Sequence, residues 1–138
     1  MDEKDLEILF TLLKNAKIPK SKIAEKLGVT ETAVRKRIEK LEAQKILVGY
    51  QAILNFKKAG LFFSFTGLDV EPERLWSTLN ILKEMEEIYN VYLTSGDHTI
   101  LAEIVSESLE KLNEIHERIS KIEGVKRVCP AIVLEVVK

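Results

Sequence analysis

The chain carries a single cysteine, Cys129, among its 138 residues. One thiol cannot close an internal disulfide, and the paired cysteine spacings of a structural metal cluster are missing, so no metal site is expected. Histidine is nearly as scarce, with only His98 and His116. Ser95, Asp97 and His98 hold the residue types of a hydrolytic triad. Neighbours within one turn cannot form that relay, which needs a nucleophile, a base and a separate orienting group. Neither common glycine-rich phosphate loop is present. No catalytic residue is assigned, and the chain does not read as an enzyme. No apolar run approaches the roughly 20 residues needed to span a bilayer. The start, Met1-Asp2-Glu3-Lys4-Asp5, is acidic and unlike a secretory signal. These absences lead us to expect a cytoplasmic protein with no cofactor and no membrane partner.

Charge is abundant but unevenly placed. The net charge of −1 conceals 13 Lys and Arg against 8 Asp and Glu in residues 1–58, a balance of +5. Residues 59–138 hold 8 against 14, a balance of −6. Between Lys14 and Lys45 the count is 10 basic against 4 acidic. A basic half joined to an acidic half suits a protein of which one part meets a polyanion. A solvated lysine-rich surface is the alternative on charge alone.

Residues Asp5 to Asn15 place Leu6, Leu9 and Leu13 on one stripe, with Ile8 and Leu12 in a second row, as an amphipathic helix requires. Pro19 breaks the chain, and Ser21 is the expected N-cap of a second helix running through Ala24 and Leu27. Gly28 can take the positive φ that ends a helix. After Val29, Thr30 is the expected N-cap of a third helix with Val34, Ile38 and Leu41 on its inner face. Two helices joined by a three-residue turn with glycine form a helix-turn-helix. Beyond Gln44 the period changes to two, and Ile46, Val48 and Tyr50 alternate with Leu47, Gly49 and Gln51. This predicts a two-stranded wing or a linking strand.

The second half reads strand, helix, strand, strand, helix, strand. Its strands are Leu61–Val70, Val91–Thr94, Thr99–Val105 and Val125–Val137. Its helices carry Leu75, Leu79, Leu82 and Met85, then Leu109, Leu112, Ile115 and Ile119, with Ser106 as the second N-cap. His116 falls on the charged face of that helix. This order is the ferredoxin-like βαββαβ motif, whose sheet has one helix-covered face and one that a second copy of the chain would cover. Cys129, Trp76 and the cluster Phe62, Phe63 and Phe65 are expected in the core, or for the aromatics at an interface between copies. The expected fold class is thus α+β, an N-terminal winged helix-turn-helix followed by a βαββαβ domain. Residues 1–45 form the first part, 46–58 a wing or linker strand, and 59–138 the sensing and oligomerisation domain.

Particular stretches resemble the Lrp/AsnC, or feast/famine, group of transcriptional regulators. They are Asp5-Leu6-Glu7-Ile8-Leu9, Ile23-Ala24-Glu25-Lys26-Leu27-Gly28, Val34-Arg35-Lys36-Arg37-Ile38, Leu41-Glu42, Gly49-Tyr50, Gly96-Asp97 and Gly124-Val125. The resemblance implies a regulator that binds double-stranded DNA, pairs into dimers, assembles further to octamers, and senses an amino acid at a turn between subunits. In this chain that turn is Gly96, Asp97, His98 and Thr99. Three positions depart from the group's pattern. Lys45 replaces a glycine at the end of the third helix, His98-Thr99 replaces an aromatic-Asp pair, and Val128 and Pro130 replace threonines. The last two departures remove polar partners for an amino acid, so weak or absent binding of the common amino acids is expected, or binding of a different ligand that uses His98.

On the exposed face of the third helix, Glu31, Thr32 and Arg35 are placed to meet base edges, arginine being the commonest reader of guanine. Lys36 and Lys40 are long enough to reach phosphates. Lys20, Ser21 and Lys22 open the second helix, where main-chain N–H groups and the helix dipole favour a phosphate. Thr30 and Arg37 complete the expected DNA-binding set. Arg37 serves either a phosphate or a carboxylate, from Glu42 or from the first helix. A competing reading is a sensor or assembly module whose helical half docks on protein. The basic excess between Lys14 and Lys45 argues against it.

Overall fold

The computed structural model describes residues 1–138, which divide into two compact units, Met1–Ile53 and Leu54–Lys138.

The first unit holds α1 (Glu3–Lys14), α2 (Lys20–Leu27) and α3 (Glu31–Ala43). A capping box starts α1. Asp5 N–H donates to Asp2 at 2.9 Å, and Asp2 N–H donates to Asp5 at 3.1 Å. Of the two apolar rows on α1, the core takes Ile8 and Leu12, with Leu9 partly buried, while Leu6, Phe10 and Leu13 are exposed. The row is chosen by what faces it: Ile23 and Ala24 of α2 and Val34, Ile38 and Leu41 of α3. Ser21 does not cap α2. Pro19 occupies the N-cap position with no side-chain bond, and Ser21 lies within the first turn. Proline supplies the fixed φ that a helix start needs, which moves the boundary ahead of the serine. Thr30 caps α3 as expected, accepting from Ala33 N–H at 3.1 Å. The extended run after Gln44 forms no wing, because residues 46–55 find no ladder partner within the chain. A strand exists only where its N–H and C=O groups are paired.

In the second unit, after the short helix α4 (Phe56–Ala59), β1 (Phe62–Val70), α5 (Leu75–Lys83), β2 (Ile88–Leu93), β3 (Ile100–Ser106), α6 (Leu109–Ser120) and β4 (Val125–Ile132) follow in order. The sheet is wholly antiparallel with order β2-β3-β1-β4, the ferredoxin-like arrangement. Alternation along β1 and β3 turns Leu68, Val70, Ile100, Ala102 and Ile104 toward Leu79 and Leu82 of α5 and Leu112, Ile115 and Ile119 of α6. Neither α5 nor α6 covers the other face. It carries Phe63, which stacks on Phe56 at 4.5 Å and meets Phe65 edge-on at 4.8 Å. Pro130 is tolerated in β4 because that strand is an edge.

Several expectations for this unit are corrected. Ser108, not Ser106, caps α6 by accepting from Lys111 N–H at 3.0 Å, while Ser106 is buried at the end of β3. Trp76 is no core residue, since 69% of it is exposed on the outer side of α5. His116 leaves the charged face and points inward, its Nε2 2.7 Å from Thr66 Oγ1, which in turn hydrogen-bonds with Ser64 Oγ at 2.7 Å. This chain satisfies two hydroxyls that are fully buried beneath the helices. Cys129 is only half-buried.

Candidate nucleic-acid interface

The turn between α2 and α3 is built on backbone chemistry. Gly28 adopts φ +68°, a left-handed conformation that glycine takes without a Cβ penalty. Val29 N–H then donates to Ala24 C=O at 3.1 Å, and Gly28 N–H to Glu25 C=O at 3.4 Å, closing the end of α2. The chain re-enters a helix two residues later at Thr30, so little is left free between the two axes.

On α3 the inner positions Val34, Ile38 and Leu41 are buried, which leaves Glu31, Thr32, Arg35, Lys36 and Lys40 exposed on the opposite side. Arg35 and Glu31 form an i,i+4 pair at 3.7 Å with both side chains about half exposed. Solvent screening makes such a pair weak, so either partner can be recruited by a ligand. Lys20, Ser21 and Lys22 are exposed at the start of α2, whose first-turn N–H groups have no side-chain cap.

Arg37 stands apart from this group. Its guanidinium donates to Asp2 at 2.8 Å and to Asp5 at 3.0 Å, with the side chain only 30% exposed. It braces α3 against the start of α1. Of the two roles expected for it, the structure displays the carboxylate pair, with first-helix acids rather than Glu42. The Arg37 hydrogen bond, helped by the Asp5 N–H, holds the Asp2 carboxyl at about 2 instead of 3.8.

Comparison with known proteins settles what the unit is for. Residues 1–42 match the AsnC-type helix-turn-helix domain, and residues 64–138 match the Lrp/AsnC ligand binding domain. The chain belongs to the Lrp/AsnC family of transcriptional regulators. It is 46% identical over 140 residues to the HTH-type transcriptional regulator LrpA of Pyrococcus horikoshii, covering 100% of this chain and 99% of that one. Among solved structures, PH0061 matches with a TM-score of 0.85 at 18% identity, over 100% of this chain and 95% of that one. A transcriptional regulator from Neisseria meningitidis, solved as an L-Met complex, matches with a TM-score of 0.73 at 17% identity, over 100% and 92%. LrpA and the Neisseria protein are transcriptional regulators, and the family is not one of enzymes. No helix of the chain is long and apolar enough to cross a membrane.

The second region that an Lrp/AsnC regulator directs attention to is the turn after β2. Gly96 and Asp97 are exposed at its tip. The other two residues fold back on the sheet. Thr99 N–H donates to Leu68 C=O at 3.0 Å, and His98 Nδ1 lies 3.1 Å from Asp69 Oδ1. Val128 packs against the core, so the residue that β4 turns toward His98 is its neighbour Cys129. Sequence reasoning missed Asp69 and Cys129 as members of this region. The signal that finds them is strand register: β1 sets Gly67 opposite Cys129 and Asp69 opposite Arg127.

Proposed function

We propose that this regulator binds near-palindromic operators in double-stranded DNA as a dimer, with octamers as the larger assembly, and that it acts in the cytoplasm. In this reading residues 1–45 bind DNA, residues 46–58 link, and residues 59–138 assemble and sense. The supporting observation is the two-sidedness of α3, apolar and buried on one side, basic and exposed on the other. Thr32, Arg35 and Glu31, near its N-terminus, meet base edges in the major groove. Lys36 and Lys40, with Thr30 and with Lys20, Ser21 and Lys22 at the uncapped start of α2, hold phosphates and set register. Arg37 contributes indirectly by fixing α3 on α1.

Dimerisation uses the open sheet face, where Phe63 and Phe65 offer aromatic area that a monomer would leave to water. A dimer of this kind favours half-sites roughly 34–36 Å apart, one helical turn of DNA. The amino-acid effector of relatives fits this chain poorly. Thr99 N–H, a main-chain donor at that turn, is already engaged by Leu68 C=O within the subunit.

A salt titration of operator binding tests the DNA contacts. Affinity falls with log[salt] at a slope of about −0.9 per phosphate neutralised. Lys36→Ala weakens all DNA sequences alike and flattens the slope by about one unit. An unchanged slope removes Lys36 from the contact set, and a monomer in light scattering at micromolar concentration removes the dimer.

A further inference from the structure

We propose that Asp69, His98 and Cys129 form a binding site for a divalent transition-metal ion of the zinc class. One ligand atom from each residue, a carboxylate oxygen, an imidazole nitrogen and a thiol sulfur, lies within 4.8 Å of the other two. The three residues come from β1, from the turn after β2 and from β4, and all are half-buried. Tetrahedral zinc, with Zn–N near 2.0 Å and Zn–S near 2.3 Å, holds its ligand atoms about 3.3–3.6 Å apart. The His98–Asp69 pair is at 3.1 Å already. Side-chain adjustment of about an ångström closes the third vertex.

An independent feature marks the site as built. Gly67 lies in the middle of β1, and a Cβ placed there would fall 2.3 Å from His98 Cδ2 and 2.5 Å from His98 Cγ. The missing side chain at position 67 is therefore the cradle in which the imidazole lies, directly opposite Cys129 on the neighbouring strand. Any other residue at 67 would expel the ring. The position of the ring in turn brings its nitrogen to Asp69.

The donor chemistry selects the ion. One thiolate and one carboxylate together carry −2, which neutralises a divalent cation, and neutral imidazole adds a third ligand without charge. Thiolate and imidazole favour zinc, cobalt or nickel over magnesium or calcium, which take oxygen ligands. Three protein ligands leave one position open to water or to a small molecule. Arg127 holds the site in the absence of metal, its guanidinium 3.6 Å from Asp69 Oδ2 and 3.3 Å from Cys129 Sγ. Its side chain is 69% exposed and free to swing out when a cation enters. The site lies on the same open sheet face as the aromatic patch, with Cys129 opposite Gly67, two residues along β1 from Phe65, and Asp69 two residues further on. The proposal does not depend on the DNA-binding reading.

The test uses the untagged, reduced, full-length protein stripped with chelator and titrated with Co²⁺. The expected result is one Co²⁺ per chain with a thiolate-to-cobalt charge-transfer band, bleached when Zn²⁺ is added. With one cysteine in the chain, such a band belongs to Cys129. Cys129→Ser abolishes the band, and His98→Gln weakens binding tenfold or more, with thermal melts showing that both variants remain folded. Arg127→Gln, which removes the competing cation, binds Co²⁺ more tightly than the wild type. Absence of the charge-transfer band in the wild type, Co²⁺ affinity unchanged in Cys129→Ser, or loss of binding in Arg127→Gln would each overturn the assignment.

Discussion

The two halves of this regulator are held together in opposite ways. In the helical half, each helix is specified locally, by caps at Asp2 and Thr30 and by apolar residues three and four apart, and its core is a single small cluster around Ile8, Ile23 and Val34. In the sheet half, β2 and β3 form a local hairpin, but β1 and β4 pair only with strands far along the chain, and the core lies on one side only. The helical half completes its own interior and keeps a charged surface for a ligand. The sheet half leaves a face unfinished, which suits an element that assembles. Basic charge collects on the self-sufficient half, and aromatic surface on the one that needs a partner.

Core truncations test this division most severely. Ile8 and Ile104 are both fully buried, and replacing either by alanine costs about 2–5 kcal/mol. If the halves are separate, Ile8→Ala lowers only the helical transition in chemical denaturation and abolishes operator binding, while Ile104→Ala lowers only the sheet transition. Equal shifts of one common transition in both variants would show a single cooperative unit.

Smaller effects are expected from the two left-handed residues that bound the DNA-binding helices. Gly28→Ala meets no atom within 4 Å, so its cost is purely conformational, about 1 kcal/mol. Lys45 is the one non-glycine residue at positive φ, +59°. Lys45→Gly relieves that strain and stabilises the helical half by up to about 1 kcal/mol. Thermal melts of the two variants should move in opposite directions.

Acid titration separates the halves by smaller shifts. Desolvation holds the His116 imidazole below its ordinary 6.5. The unfolded chain then takes up the proton first, so the sheet half loses stability as pH falls below about 6.5 and levels off under the folded value. His116→Gln removes that slope. In the helical half the lowered Asp2 carboxyl acts in a more acidic window. Its contribution is complete above 3.8 and is lost as pH falls through about 2. Chemical shifts of the Asp2 carboxyl should move back toward the ordinary range in Arg37→Ala.

The same contrast explains which features could be read from the residues alone. The third helix was legible because its cap, its inner face and its preceding glycine lie within sixteen residues of chain, from Gly28 to Ala43. The βαββαβ order was legible from the switch in period between strand and helix. The choice between the two rows of α1 was not, since either row satisfies helical periodicity and only the partner surfaces decide. The wing failed for a related reason: alternation marks residues able to form a strand, but pairing makes one. Arg37 with Asp2, and His98 with Asp69 and Cys129, are separated by long stretches of chain and meet through packing and register. No local spacing announces them.

The strand order also sets a timetable for synthesis. β1 is central, yet both of its neighbours are made after it, and Ser64 waits for Ile132 to complete its pairing. Non-local pairing of this kind is slow and leaves strand edges uncovered in the interim. On the ribosome, the helical half can fold as soon as it clears the exit tunnel, while β1 must remain unpaired on at least one side until the last strand emerges. A truncation that removes β4 therefore exposes one edge of β1, next to Phe63 and Phe65, and converts an orderly assembly surface into a site of uncontrolled aggregation.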